Sequence, residues 1–460
     1  MTEVFKPNSK YVIGQLASWI ISFIIFWPLV LAVPFILIYY YFWLKNTEYE
    51  AREDGVFKKT GIITKSQSLF LYKQIQDVQE QQGILDRIFG LKTLKIKTMS
   101  GSSSLGGDLI GISIADADRL RSLIIRNIDK QISEVNESRT GATTKIKEEQ
   151  VITTPYKLYP NEAALAAIVP VIIGAILVGL LSMIVSPIYL FVLISLGLLL
   201  AGITGIGAYF TSRFLSYEIT NDWMSIKYDF LVRNVTNYRY DRIQNVIIYM
   251  PWGYKLLGIA GVRIETGESL QLGSGGKQQI AYNFVPAMKV DDAYKLKDLL
   301  LQRIGVQSKE TVRDLRTTYP LENVKPIKKT IGSMIVLTVL TMVAFILAKT
   351  FAIIIIGALL ILLIFVYEWF YFKNYSYKTN DKVLIVKKGV LGRSEIFIPY
   401  NRVQTIFLDM DVLDRVFGLY DLHLSTIGIR AGSHIDGLNS ANSEGLKKEL
   451  LAAVEKNRTK

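Results

Sequence analysis

Long uncharged runs alternate along the chain with stretches in which apolar and polar positions interleave. The runs are Tyr11–Leu44, Ala163–Ser212 and Thr330–Tyr367, the last with Lys349 alone in its middle. A helix needs about 20 apolar residues to cross a bilayer core. The second run, 50 residues long, accommodates two crossings that turn near Ser186-Pro187. The third splits at Lys349-Thr350 into Ile331–Ala348 and Phe351–Tyr367. The first would give two helices of about 16 residues, each rising about 24 Å. Pro28 and Pro34 bracket its midpoint, which suits a short or re-entrant hairpin; one long tilted helix is the alternative. The pattern predicts three helical hairpins and six membrane segments.

The interleaved stretches read as strands first and a helix last. Lys382–Val386 and Ser394–Ile398 predict a β-hairpin around Gly389 and Gly392, with Gln404–Leu408 continuing the same sheet. Leu422–Ser425, Leu94–Lys97 and Val262–Glu265 alternate with period two. Leucines at helical spacing then predict amphipathic helices over Asp116–Val135, Asp291–Ile304 and Ser443–Lys456. Short strands followed by one helix suggest a small barrel or bent sheet that the helix closes. Residues 134–161 and 306–328 are polar and predict flexible linkers, so that each module hangs from its own hairpin. The expected layout is therefore hairpins at 1–45, 162–213 and 329–372, and modules at 46–133, 214–305 and 373–460.

The modules are copies of one unit. Tyr72-Lys73-Gln74-Ile75-Gln76, Tyr240-Asp241-Arg242-Ile243-Gln244 and Tyr400-Asn401-Arg402-Val403-Gln404 each lead, 14 residues after the last Gln, to Gly90, Gly258 and Gly418. The Gln residues lie 168 and then 160 apart. Tyr49, Tyr217 and Tyr377 stand 27 before the Gln, and Thr98, Thr266 and Thr426 stand 22 after it. Agreement at so many offsets marks a repeated structural unit.

Charge then sets the orientation. Mean hydropathy is +0.29, a middle value that fits membrane segments joined to sizeable water-soluble parts. The net charge of +13 suits an anionic membrane surface, and the membrane runs favour that partner over nucleic acid. Lys6, Lys10, Lys45, Arg213, Lys328, Lys329 and Lys373 flank one side of the hairpins, whereas Lys349 alone marks the other. The positive-inside rule places the N-terminus and all modules in the cytoplasm. The first run is too long for a signal-peptide core and reads as a retained anchor.

Candidate chemistry is sparse. There is no cysteine, and the only histidines are His423 and His434, which excludes thiolate catalysis and any His site common to the copies. Gly273–Lys277 lacks the spacing and Ser/Thr of a P-loop. No catalytic constellation, metal site or cofactor motif recurs, which predicts a protein that is not an enzyme. What does recur is a basic residue 11 positions to either side of the Gln: Lys65 with Arg87, Arg233 with Lys255, and Arg393 with Arg415. Converging at a membrane-facing rim, each pair would bind an anionic phospholipid headgroup, at about 1 kcal/mol per basic residue. The competing reading is solvated strand-end charge paired with neighbours such as Asp86 and Asp414. The recurrent Tyr, Gln, Thr and Gly read as structural, the Gln buried against strand-end backbone and the Gly at positive φ.

With these segments the chain resembles the bacterial PH-like (pleckstrin-homology-like) membrane-flanked domain family. The matching pattern is a basic residue after a glycine turn, a strand start ending in Gln, and a segment ending in [FL]-G-[LI]. It runs over 65–90, 233–258 and 393–418, with Gly253-Tyr254-Lys255 departing from the Leu-Asp-Arg of the other copies. The resemblance implies a seven-stranded, partly open barrel closed by a C-terminal helix, with no enzymatic activity. It also implies a protein partner, such as a smaller protein of the same family, and an association of some members with tolerance of membrane-active antimicrobial peptides. The expected whole is a polytopic α-helical membrane protein with three cytoplasmic PH-like modules, serving as a scaffold or binding platform. The alternative is a transporter or channel component, for which water-filled space lined by Ser182, Ser186 and Ser195 would speak.

Overall fold

The computed structural model describes residues 3–13, 15, 33–62, 66–72, 75–98, 108–140, 152–153, 155–182, 187–230, 232–266, 283–306, 312–349, 351–426 and 434–458. Its strands, in chain order, begin with β1 (Glu3–Phe5), β2 (Glu48–Ala51), β3 (Gly55–Thr60) and β4 (Ser66–Leu71), followed by β5 (Ile75–Gln82), β6 (Leu91–Thr98) and β7 (Asp108–Ser113). The second set is β8 (Ile152–Thr153), β9 (Leu215–Ile219), β10 (Trp223–Asp229), β11 (Arg233–Arg239), β12 (Ile243–Met250), β13 (Ile259–Thr266) and β14 (Phe284–Lys289). The third is β15 (Arg313–Asp314), β16 (Ser376–Thr379), β17 (Val383–Lys388), β18 (Arg393–Pro399), β19 (Val403–Asp409), β20 (Tyr420–Thr426) and β21 (His434–Leu438). Each module thus contributes four strands and then three, and closes on a helix: Ile114–Thr140, Val290–Arg303 or Ser440–Arg458.

The chain forms two compact units that cut across the repeat. One holds residues 1–155, 214–242 and 271–282; the other holds 156–213, 243–270 and 283–460. In the first unit β11 pairs with β5, which fuses the three late strands of module 1 and the four early strands of module 2 into one seven-stranded sheet. In the second, β18 pairs with β12 and fuses modules 2 and 3 in the same way. Consecutive modules are therefore joined by backbone hydrogen bonds, which corrects the expectation of modules that merely hang from hairpins. A strand edge carries unmet N–H and C=O groups, and pairing with the next module satisfies them. The polar linkers contribute to this: β8 pairs with β9, and β15 with β16.

Two other expectations change. Val403–Asp409 does not extend the sheet of β16 to β18. The 3-10 turn Tyr400–Arg402 redirects the chain, and β19 opens a separate sheet with β20 and β21. The hairpins also lie inside the modules rather than ahead of them, because β1, β8 and β15 precede a hairpin and pair with the strand that follows it.

Among the described residues, four helices are long and apolar enough to cross a membrane: Pro160–Ser182, Pro187–Arg213, Lys325–Ala348 and Ala352–Asn374. They form two antiparallel hairpins, the first closely packed where Gly197 meets Ala175. Their outward residues, among them Leu199, Ile203, Ile335 and Leu363, stand exposed, a surface that only an apolar solvent would cover. The expected six segments are not shown. Of the first run, residues 10–13 and Val33–Asn46 are helical, while residues 16–32, with Pro28, lie outside the described residues. Ser195 is exposed, and Ser186 lies outside the described residues.

The cores follow the repeat. Tyr49, Tyr72, Val78, Leu94 and Leu120 cluster in the first unit. Tyr377, Tyr400, Ile406, Leu424 and Leu450 do so in the second, joined by Leu315 and Leu321 from the segment leading into the third hairpin. The Tyr49 hydroxyl accepts from Ile110 N at 3.0 Å, which satisfies a polar tip within an apolar core.

Candidate functional site

The recurrent Gln is the extra residue of a β-bulge. The pairing register shifts between Ile75 and Asp77, between Ile243 and Asn245, and between Val403 and Thr405. In each copy the residue skipped is the recurrent Gln. A bulge bends and twists a strand, which suits the point where the chain leaves its 3-10 turn for a new sheet. Gln244 is buried as expected, but Gln404 is exposed, because among the described residues β12 has neighbours on both sides whereas β19 has one.

The segment ending at the recurrent Gly is a short helix: Ile84–Phe89, Trp252–Leu256 or Val412–Phe417. Gly90, Gly258 and Gly418 follow at φ 67°, 65° and 65°, the left-handed conformation that ends a helix and that glycine adopts without steric cost. Two of these helices rest on the start of a membrane-length helix. In module 3 the helix Lys325–Ala348 opens with Lys325, Lys328 and Lys329, cations at the end where the helix dipole disfavours them. Carboxylates of the module meet all three. Lys325 reaches Asp421 at 2.8 Å and Asp414 at 4.0 Å. Lys328 binds Asp411 at 2.6 Å and also Asp414, and Lys329 lies 3.3 Å from Asp436. Asp414 is 1% exposed, and Asp411 and Asp414 also cap the short helix reciprocally. These lysines are consumed by ion pairs rather than free at headgroup level.

Module 2 reaches the same arrangement without charge. Gly253 lies against the membrane helix Pro160–Ser182, and a Cβ placed there would clash with the Ala166 carbonyl oxygen. The departure Gly253-Tyr254 from the Leu-Asp of the other copies is thereby accounted for. In module 1 the chain entering the first apolar run is held by Asn8 N donating to Gly111 O at 2.7 Å, with the Tyr11 ring over Gly111.

Beside Asp436, burial pushes the carboxyl up, but the hydrogen bond from His434 and the charges of His434, Lys325 and Lys329 hold it well below the usual carboxylate range. Burial likewise brings the Lys388 ammonium down to about 8, against the pull of Asp436 and with the help of Lys329.

Five of the six basic candidates fall among the described residues. Arg87 binds Asp229 and donates to Phe230 O at 2.8 Å, and Arg233 lies 3.7 Å from the same Asp229. Arg87 thus meets a basic residue of the following module, at the β5·β11 joint. Arg393 pairs with Glu395 at the β12·β18 joint. Lys255 and Arg415 stand exposed on their short helices, with no acidic partner within ion-pair distance among the described residues. Lys65 lies outside the described residues.

Apolar neighbours of those basic residues were not singled out in the sequence. Val412 and Val416 are 77% and 73% exposed, one helical turn apart. Ile84 and Ile88 occupy the same two positions in module 1 and are also exposed, as is Leu256 in module 2. Apolar residues at i and i+4 on a helix this short are the available signal. Among the described residues no group of three or more His, Asp or Glu could hold a metal ion.

Repeated sets of four and three strands, each closed by a helix and built around membrane-length helices, define a chain of PH-like modules with a binding or scaffolding character. The family model described as bacterial PH domain matches three times, over residues 11–128, 163–304 and 335–454. The chain belongs to the bacterial PH domain family. No curated protein matches it.

Proposed function

We propose that this protein is a non-enzymatic binding platform of the bacterial inner membrane, whose modules face the cytoplasm and touch anionic phospholipid headgroups through their short helices. The observation that carries this reading is the pair Val412 and Val416. They stand bare on a helix that is ion-paired to the first turn of a membrane-length helix. The first turn of such a helix lies at the bilayer surface. The two valines then enter the headgroup region, and Arg415 between them extends to a lipid phosphate, as long basic side chains do at an interface. Lys255, beside exposed Leu256, is placed alike on its own helix. Partner proteins would assemble on the surfaces left free, and a role in envelope stress or antimicrobial-peptide tolerance would act through that assembly.

The absence of cysteine makes the test direct. A Val416→Cys variant of the full chain, labelled with an environment-sensitive fluorophore, is reconstituted into vesicles of phosphatidylethanolamine and phosphatidylglycerol. Blue-shifted emission quenched by lipids brominated near the headgroup is expected, with weaker quenching when Arg415→Glu is added. Emission characteristic of water, unquenched by any brominated lipid, would refute the contact.

A further inference from the structure

The two internal joints are one joint used twice. β4, β11 and β18 hold one position of the repeat, and β5, β12 and β19 hold the next. In the first joint Gln82 faces Arg233 and Glu80 faces Val235; in the second Met250 faces Arg393 and Ile248 faces Glu395. Gln82 and Met250 are 168 apart, and Arg233 and Arg393 are 160 apart, the offsets of the repeat itself. The registers are therefore identical.

Each joint also has side chains built across it. Gln79 donates to Thr236 Oγ1 at 3.1 Å in the first. In the second, Tyr294 donates to Glu395 at 2.9 Å, and Lys297 lies 4.7 Å from the Phe397 ring centre.

What remains is half a joint at either end. Among the described residues, the early strands of module 1 stay a four-stranded sheet ending on β4, and the late strands of module 3 stay a three-stranded sheet beginning with β19. Together they are the parts of a third seven-stranded sheet. Their residues show what is missing. Covered β12 buries every residue but one, whereas in β19 Gln404, Thr405, Phe407 and Asp409 are exposed. Phe407 is 40% exposed where its counterpart Ile247 is buried. In β4, Leu69 is 41% exposed where its counterpart Phe397 is buried. Neither strand carries the Lys or Pro that natural edges use against further pairing.

We propose that β4 of one copy of this chain adds to the outer edge of β19 of a second copy, repeating the internal joint between molecules. The register places Ser66 opposite Asp409, Ser68 opposite Phe407 and Leu69 opposite Ile406. The contact is heterologous, so it propagates into a closed ring or an open row in the plane of the membrane. A second copy is the occupant because it alone is known to bring a strand whose counterparts make this pairing in this register. The inference names the partner for the platform proposed above and rests on that reading.

The chain lacks cysteine, so the register can be tested by cross-linking in the full protein. One tagged copy carries Asp409→Cys and a differently tagged copy carries Ser66→Cys. Both are co-expressed and oxidised in vesicles of phosphatidylethanolamine and phosphatidylglycerol. Facing residues of an antiparallel pair have Cβ atoms about 4.5–5.5 Å apart, within reach of a disulfide after slight adjustment. A dimer bearing both tags is expected, formed several-fold more readily than with Gln67→Cys in place of Ser66→Cys. Tyr249→Cys with Ser394→Cys, facing residues of the internal joint, should close within one chain and validates the oxidation. The proposal is overturned if that control closes while no mixed dimer appears, or if Gln67→Cys links equally well. It is also overturned if a doubly substituted chain links only to itself, or if Asp409→Cys in native membranes links only to a smaller protein. Phe407→Lys, at an exposed side chain, should reduce the assembly to single copies by mass photometry. An assembly unchanged by it also defeats the proposal. Quenching at position 416 should survive Phe407→Lys, so the membrane contact and the strand addition fail separately.

Discussion

The short helices Trp252–Leu256 and Val412–Phe417 hold the same place in the repeat and seat a module on a membrane helix by opposite chemistries. Module 3 uses a buried ion network, in which Asp414 serves Lys325 and Lys328 at once. Module 2 uses bare proximity, Gly253 against the Ala166 carbonyl. The repeat therefore preserves the position of the contact and leaves its physics free. A third device acts in module 3: Arg316 donates to Lys373 O at 3.0 Å and also to Tyr375 O. It thereby ties the one-turn helix Leu315–Thr318, which leads toward the hairpin, to the end of the helix after it. With the flanking strands β15 and β16 also hydrogen-bonded, both ends of that hairpin are fixed to the module.

The difference predicts unequal responses to substitution, of which Asp414→Asn should be the largest. Without the buried Asp414 carboxylate, Lys325 keeps only Asp421 and Lys328 only the exposed Asp411; removing one partner from a buried ion pair costs up to about 3–5 kcal/mol. The loss should appear as faster amide hydrogen exchange over residues 411–418 and the first turn of the Lys325–Ala348 helix, with residues 251–258 unaffected. If protection over 411–418 is unchanged, the network does not hold the module.

Gly253→Ala should come next. The added Cβ meets backbone, not a flexible side chain, and such overpacking typically costs about 1–3 kcal/mol. Here exchange should rise over residues 251–258 and at the start of the Pro160–Ser182 helix. Raising the salt concentration should not alter the effect, because no charge is involved. Equal exchange in Gly253→Ala and the parent protein would show that the helix has room to move aside.

Much of this architecture was legible in the sequence. The strand alternation of Leu422–Ser425, the closing helices and the positive-φ glycines follow from local rules that need few neighbours. The joints between modules were not, because strand addition is decided by which edge lies open, and Val246–Met250 and Ile406–Asp409 are similarly apolar. A trace was present: Val246–Met250 reads apolar on both faces, as a covered strand does, whereas the counterpart Ile406–Met410 carries Asp409 where the former has Tyr249. Equal spacing of the basic residues about the Gln does not say which partners they reach. Arg87 reaches forward to Asp229 of the next copy. The first apolar run remains the least defined by its residues, since 34 uncharged positions fit one long helix or two short ones.

The smallest expected effect tests whether the charges beside the third hairpin are tuned or only tolerated. Lys388 lies beside Asp436, Lys329 and Glu265, with its ammonium 5.8 Å from the Tyr375 ring centre. Burial brings its pKa from 10.5 to about 8. Below pH 8 both folded and unfolded chains hold the proton, and the cost of burying the charge is fully present. Between about 8 and 10.5 the unfolded chain binds more protons, so stability rises with pH; above 10.5 the gain is complete. The slope should fall short of the limiting value of about 1.4 kcal/mol per pH unit, because the side chain keeps partial access to water. Lys388→Met should flatten this rise in denaturant titrations of the full chain at pH 8 to 10.5. It should leave the response to Asp414→Asn intact, since the ion pairs of Asp414 run to Lys325 and Lys328. A parent protein whose stability is flat across that range would show that Lys388 is solvated. The acid limb separates the two groups further: Asp436, held low by His434 and the lysines, contributes stability above the ordinary carboxylate pKa. That contribution is lost only as the pH falls through its depressed value, so Lys388→Met should leave the acid limb nearly unchanged while Asp436→Asn removes it.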